Sequence, residues 1–238
     1  MSTGFLILAA GAGTRMGGVP KCLIELDGQS LLERMLRELQ PLCEGAQGEL
    51  VLVLGHHAQA IRNHLSRQTE APSPHRQSGS PRCVVNPHPG DDPASSLQEG
   101  LRALAAGVQQ VAVLLADQPL VTGEDVRMAL QTFAARAAGI HVQVPLVRGV
   151  PGHPVIFDAG VRAQLLESEG GGLRQWRAAH PQAVHLWSVD NPHYTRDLDT
   201  PADLDALARE TGCRWRWPPG LPPSPAGPDG PPRRFGRR

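Results

Sequence analysis

The sequence predicts an α/β fold, a single three-layer α/β/α, Rossmann-like domain with a mainly parallel sheet, on three observations. Short unbroken apolar runs (Phe5 to Ala9, Leu50 to Leu54, Val111 to Leu115) read as strands buried on both faces. Segments of helical periodicity separate them, which is how parallel strands are joined. The first run also empties directly into a glycine-rich loop, as strands do where such sheets bind ligands.

Each element has a local reason. After Phe5 to Ala9 and its loop, Ser30 and Glu33 have capping-box spacing, and Leu31, Leu32, Met35, Leu36 and Leu39 form one apolar stripe that Pro41 is expected to stop. Leu50 to Leu54 is the second strand, Ala58 to Leu65 a short helix, and Arg82 to Val85 the third strand. Between these last two, Ser66 to Pro81 has no periodicity and reads as a mobile excursion. The loop Asn86 to Ala94 leads to Ser95 and Ser96, whose hydroxyls stand where they would cap a helix over Leu97 to Ala106. Val111 to Leu115 follows, then a helix over Glu124 to Ala138 and a strand near His141 to Val144. Gly149 to Pro154 is a loop of turn formers that opens the run Val155 to Phe157. Last comes a helix entered by Thr200, Pro201 and Asp203, a cap, a first-turn proline and a capping-box acid.

Composition bounds the partners. The 238 residues carry 23 basic and 23 acidic side chains, so no net field draws the chain to nucleic acid or to an anionic membrane. Cys22, Cys43, Cys83 and Cys213 stand far apart without a C-x-x-C pair, which indicates neither a zinc site nor a disulfide framework. Reduced thiols, no basic leader and no apolar run of about 20 residues point to a cytoplasmic, membrane-free protein whose partners are small molecules. The domain is expected over 1–212. Residues 213–238, with eight prolines after Trp217 and many arginines, are expected to form a disordered tail.

The chemistry concentrates at Leu8-Ala9-Ala10-Gly11-Ala12-Gly13-Thr14-Arg15-Met16-Gly17-Gly18-Val19-Pro20-Lys21. Backbone N–H groups in such a loop cup an anion, and a guanidinium and an ammonium aimed at one pocket suit a triphosphate. The Walker pattern requires Lys-Ser/Thr after its last glycine, which is absent. The dinucleotide fingerprint fits only in part, because Gly17 falls one position late and Gly55-His56-His57 stands where a ribose-binding acid belongs. Asp117 lies just past the end of the strand Val111 to Leu115, where a carboxylate holds Mg²⁺ beside phosphates or merely caps a turn. Ala116 before it would matter only if the backbone there were left-handed.

The loop L-A-A-G-x-G-T-R-M-G followed by P-K resembles the signature of nucleotidyltransferases that join a nucleoside monophosphate to a phosphorylated acceptor. Ala116-Asp117-Gln118-Pro119-Leu120-Val121, Gly152-His153-Pro154-Val155-Ile156-Phe157 and Asp197-Leu198-Asp199-Thr200-Pro201 resemble the molybdenum cofactor cytidylyltransferase branch of the MobA-like enzymes, over about Phe5 to Ala208. The resemblance implies that Leu8, Ala9, Ala10, Gly11, Gly13, Thr14, Arg15 and Lys21 bind the nucleotide, with Arg15, Lys21 and Asp117 catalytic. It makes Asp199 the second Mg²⁺ carboxylate beside Asp117, with Asp197 as its competitor. Ser96 either lines the nucleotide pocket or caps its helix. Gln118 and His153 fall on the acceptor side, where His153 donates a hydrogen bond to the acceptor or serves only as a turn residue.

The implied reaction is attack of an acceptor phosphate on the α-phosphorus of a nucleoside triphosphate, with pyrophosphate leaving and Mg²⁺ as cofactor. The acceptor implied is molybdenum-loaded molybdopterin, with CTP as donor and a molybdenum hydroxylase as recipient of the product. A guanylyltransferase, a sugar-1-phosphate nucleotidyltransferase, an NAD(P)-dependent reductase on the same fold and a cofactor-holding chaperone are the competing readings.

Overall fold

The computed structural model describes residues 1–45, 48–70, 81–90, 93–168 and 171–218. In chain order the elements are β1 (Thr3–Ala9), β2 (Glu25–Leu26), β3 (Gln29–Ser30), α1 (Leu31–Gly45), β4 (Glu49–Leu54), α2 (Ala58–Glu70), β5 (Arg82–Val85), α3 (Ala94–Ala103), β6 (Gln110–Leu115), α4 (Gly123–Ala134), β7 (Val142–Val147), β8 (Val150–Pro151), β9 (Val155–Asp158), α5 (Ala159–Glu167), α6 (Leu173–Ala179), β10 (Val184–Ser188), α7 (Pro201–Thr211) and β11 (Trp215–Arg216).

The main sheet runs β10-β7-β9-β6-β1-β4-β5, with β8 paired to β7. β5, β4, β1 and β6 are mutually parallel, in register with Ile7 beside Leu52 and Leu6 beside Val113. β9 runs antiparallel to both β6 and β7, so the sheet is mixed at that end.

Alternation along the strands sends side chains to two cores. Phe5, Ile7, Leu52, Leu54 and Leu114 face one way and meet Leu32, Met35 and Leu39 of α1, Ile61 of α2, and Val126 and Phe133 of α4. Leu6, Val51, Val53, Val111 and Val113 face the other way and meet Leu97 and Leu101 of α3 and Val161 and Leu165 of α5. Burial of each such side chain stabilises by about 1.5–3 kcal/mol, which is why central strands can be apolar throughout. A third, smaller cluster lies off the sheet: Met16, Val19, Ile24, Leu26, Leu198, Leu204 and Leu207, with Trp215 and Trp217 against it.

Four expectations need correction. Pro41 does not stop α1, which continues to Gly45. Leu42 beyond it is buried in the first core, and that packing outweighs the hydrogen bond a proline forfeits. Ser95 and Ser96 do not cap α3: the helix starts at Ala94 behind Pro93, which gives no side-chain cap. α2 extends past Ser66 to Glu70, while 71–80 of the expected excursion lie outside the described residues. Finally, the expected tail is not wholly unstructured. β11 pairs antiparallel with β2, the Arg214 N–H donates to the Asp27 carboxylate at 2.9 Å, and the Trp215 indole donates to Asp205 at 3.1 Å. Tryptophans with an apolar cluster to cover tie down 213–218 despite the prolines around them; residues 219–238 lie outside those described.

Candidate active site

β1 is the point at which strand order reverses, since the chain steps to β4 and β5 on one side and returns to β6 on the other. A crevice opens beyond the carboxyl ends of strands at such a point. The two segments that enter it are the glycine loop after β1 and Asp117 after β6.

The loop winds tightly. Gly13, Gly17 and Gly18 have φ of 63°, 76° and 75°. The Met16 and Gly18 N–H groups both donate to the Gly13 carbonyl at 2.9 Å, and Gly17 donates to Thr14 at 3.0 Å. A Cβ on Gly13 would lie 2.0 Å from the Val19 carbonyl oxygen, so only glycine fits there. Leu8 and Ala9 end the strand, and the buried Ala10 receives the His56 N–H on its carbonyl at 3.3 Å. Among the described residues the N–H groups of Gly11, Ala12 and Gly13 have no main-chain acceptor, as donors that bind an anion require. Gly11, Thr14 and Arg15 are exposed at the mouth.

Four charged groups converge beside this loop. Lys21 Nζ donates to Asp117 Oδ2 and, at 2.9 Å, to Asp199 Oδ1, while Arg15 Nη1 meets Asp199 Oδ2 at 2.9 Å. The side chains of Lys21 and Asp117 are each 19% exposed against 68% for Arg15, so the inner pair is little screened and carries more of the attraction. Burial works against the Lys21 charge, but Asp117 and Asp199 outweigh it and hold the ammonium above its ordinary pKa.

Asp199 is placed by its own helix. Thr200 caps α7 with Asp203 in a capping box, and the Asp203 carboxylate also accepts the Asp199 N–H at 3.0 Å. The Leu198 N–H donates to the Asp117 carbonyl at 3.0 Å, tying the two acidic segments together. Asp197 differs: its Oδ1 is buried without a hydrogen-bond partner, and burial with the Asp117 charge pushes its carboxyl up to about 6. The Ala116 backbone is not left-handed, and its methyl joins the sheet core.

Around His153 and Gln118 the geometry is more specific than the sequence. The His153–Pro154 peptide is cis. His153 Nδ1 lies 3.2 Å from the Val113 carbonyl, which can only accept, so Nδ1 bears the proton. Burial, reinforced by the Arg177 charge, lowers its pKa and leaves a neutral ring. The ring is therefore an acceptor at Nε2, not the donor that the resemblance implies. Gln118 is buried and its amide nitrogen donates to the Tyr194 carbonyl at 3.1 Å, while its Oε1 has no partner among the described residues. Ser96 is likewise buried, its hydroxyl accepting from the Asn86 amide at 3.0 Å, as Ser95 does at 2.9 Å.

The sequence reading missed the support beneath. Tyr194, fully buried, donates its hydroxyl to the Asp125 carbonyl at 2.9 Å, while its own carbonyl accepts from Gln118 and, at 2.8 Å, from the His153 N–H. The Asp125 carboxylate accepts from Asn191 at 2.7 Å and bonds His193 at 2.9 Å. A Cβ on Gly152 would lie 2.2 Å from the Tyr194 carbonyl. Only Asn191-Pro192, a turn signal, hints at this in the sequence.

Among the described residues no group of three or more His, Cys, Asp or Glu is arranged as a metal cage. Two carboxylates meeting at one cation are present, however. That set fits Mg²⁺ or Mn²⁺, hard ions that take one or two protein carboxylates and complete their shell with phosphate and water.

A glycine loop, two cations and two convergent acids at the switch point of such a sheet define a nucleotidyltransferase domain. The family model of the MobA-like NTP transferase domain matches residues 5–184, and the chain belongs to that family. It is 30% identical over 201 residues to the nicotine blue oxidoreductase of Paenarthrobacter nicotinovorans, across 82% of this chain and 91% of that protein. A Mycobacterium tuberculosis protein solved in complex with manganese superposes with a TM-score of 0.63 at 24% identity, over 88% of this chain and 99% of that one. Molybdopterin-guanine dinucleotide biosynthesis protein A of Archaeoglobus fulgidus does so with a TM-score of 0.60 at 19% identity, over 88% and 98%. No helix among the described residues is long and apolar enough to cross a membrane.

Proposed function

We propose that this nucleotidyltransferase moves CMP from CTP to molybdenum-loaded molybdopterin and releases pyrophosphate, serving the maturation of molybdenum hydroxylases in the cytoplasm. The observation that carries the reading is the Lys21 ammonium held between Asp117 and Asp199 at the mouth of the glycine loop. The choice of CTP rests on the resemblance of the segments around Asp117, His153 and Asp199 alone; for molybdopterin the Archaeoglobus neighbour adds support, though its own base is guanine.

In this reading the N–H groups from Gly11 to Gly13 cradle the triphosphate, and Arg15 and Lys21 neutralise the charge that builds on it in the transition state. Asp117 and Asp199 would hold the divalent ion, for which the manganese-bound neighbour speaks. When bound, the ion neutralises charge on attacking and leaving oxygens. No general base is required, since a phosphate monoester oxygen is already ionised near neutral pH. His153 Nε2 accepts a hydrogen bond from an N–H or O–H of the acceptor, and the floor of Gly152, Gln118 and Tyr194 fixes the ring.

The nicotine blue oxidoreductase relative favours a second reading, reduction of a small aromatic substrate. It leaves Lys21, Asp117 and Asp199 without a task. Pyrophosphate release, assayed with Mg²⁺, molybdenum-loaded molybdopterin and each of CTP, GTP, ATP and UTP in turn, separates the readings. Release with CTP alone supports the proposal, and release with GTP moves it to a guanylyltransferase. No release, together with oxidation of NADH or NADPH in the presence of a quinonoid dye, replaces it with the reductase.

A further inference from the structure

We infer that Lys21 is the counter-ion of the metal position: its ammonium stands between Asp117 and Asp199, and a divalent ion entering there sends it to the nucleotide. The inference rests on the reading of these two acids as metal ligands and adds what the lysine does before the metal arrives.

Geometry is the first argument. A single Nζ reaches Asp117 Oδ2 and Asp199 Oδ1, one acid from each of two adjoining loops, as a bridging cation would. Arg15 takes the other oxygen of Asp199, so two positive groups meet two negative ones. Acids this close with nothing between them would repel strongly in a site as enclosed as this one. A lysine suits the task because its ammonium is a compact point charge on a flexible stem, able to leave along a different rotamer, where the planar fork of an arginine is committed to its geometry.

A divalent ion and an ammonium cannot share the position. With the ion in place, Lys21 loses both partners and needs another anion. The nucleotide supplies one, since Lys21 closes the loop whose Gly11 to Gly13 N–H groups, without main-chain acceptors among the described residues, hold the phosphates in the proposed function. Metal and nucleotide therefore assist each other. The metal frees the lysine for the phosphates, the phosphates relieve the metal of competition, and the assistance is equal in both directions. The surprising consequence is that removing Lys21, which should cripple nucleotide binding, should improve metal binding to the free protein.

The test is Mn²⁺ titration, without nucleotide, of the wild-type protein, Lys21→Met, Lys21→Gln and Asp117→Asn, followed by the electron paramagnetic resonance of free Mn²⁺. Both lysine variants are expected to bind Mn²⁺ about tenfold or more tightly than wild type, since a competing cation has been removed. CTP is expected to tighten Mn²⁺ on wild type far more than on either variant. As a measurement on the unaltered chain, acetylation of Lys21 by acetic anhydride, read by peptide mass, should rise when Mn²⁺ is added and fall again with CTP. Lysine variants that bind Mn²⁺ no better than wild type, with Asp117→Asn abolishing binding, would overturn the inference and leave the metal reading standing. Wild-type affinity in Asp117→Asn would remove the metal reading itself and the inference with it.

Discussion

The main-chain N–H of Leu198 donates to the carbonyl of Asp117 at 3.0 Å, joining two loops that are 81 residues apart in the chain, one carrying Asp117 and the other Asp199. The separation of the Asp117 and Asp199 carboxylates is thus set by backbone, and the side chains need only be acids of the right length.

Replacing Lys21 by Met or Asp117 by Asn should lower turnover by about 10²–10³-fold, the usual cost of one preorganised charge at a phosphoryl centre. Pyrophosphate release gives the rate and far-ultraviolet circular dichroism the integrity of the fold. Near-normal turnover in either variant would remove that residue from the chemistry.

Gly13→Ala should abolish nucleotide binding. With φ at 63° and the Val19 carbonyl 2.0 Å from the new methyl, the loop must open, at a cost of about 1–3 kcal/mol. Isothermal titration with CTP and thermal melting separate the two effects; an alanine variant that binds CTP normally would refute the loop geometry.

Tyr194→Phe removes one buried hydrogen bond and should cost about 1 kcal/mol of stability. Because Tyr194 props the floor on which Gln118 and His153 rest, KM for the acceptor should rise more than KM for the nucleotide. Equal changes in the two would show the tyrosine to be structural only.

Asp125 gives a pH signature. Burial opposes its charge, but His193 and Thr122 outweigh that and hold the carboxyl below its ordinary value of 3.8. An acid with a lowered folded-state pKa stabilises the fold above the ordinary value and loses that contribution as pH falls through the folded one. Asp125→Asn should therefore destabilise by about 1–2 kcal/mol at neutral pH. The gap from wild type should close below pH 3.8, as urea melts across pH 3 to 7 would show. A gap that is constant across that range would exclude the carboxylate.

Trp215→Ala should lower stability by about 2 kcal/mol, because the indole covers the third apolar cluster and bonds Asp205. A melting temperature equal to wild type would show that 213–218 contributes nothing.

What the sequence disclosed follows from how local the cause was. β1, β4 and β6 are legible because strands covered on both faces are apolar throughout, and the starts of α1 and α7 because their caps involve residues three apart. The two-residue strands β2, β3 and β11 carry no periodicity and exist only through tertiary pairing. Pro41 misled because the burial of Leu42 is decided by distant strands. The sequence set Lys21 on the triphosphate and Asp117 and Asp199 on a metal, but that the lysine pairs directly with both acids depends on segments 96 and 178 residues away and was not legible in it. Nothing local announced Tyr194 on Asp125, or His153 turned so that its proton faces Val113, because hydrogen bonds within a floor leave no period in the chain.

Arg15 and Asp199 adjoin Met16 and Leu198 of the small third cluster, while Asp117 follows Ala116 of the sheet core. Lys21 itself lies between Val19 of the one and Cys22 of the other. The charges thus meet along a seam between two separately packed bodies, and the ammonium is a rivet across it. Because the Leu198–Asp117 backbone bond crosses that seam, the spacing of the acids holds only while both clusters stay packed, so substitutions at apolar positions that touch no ligand can still reach the chemistry through it.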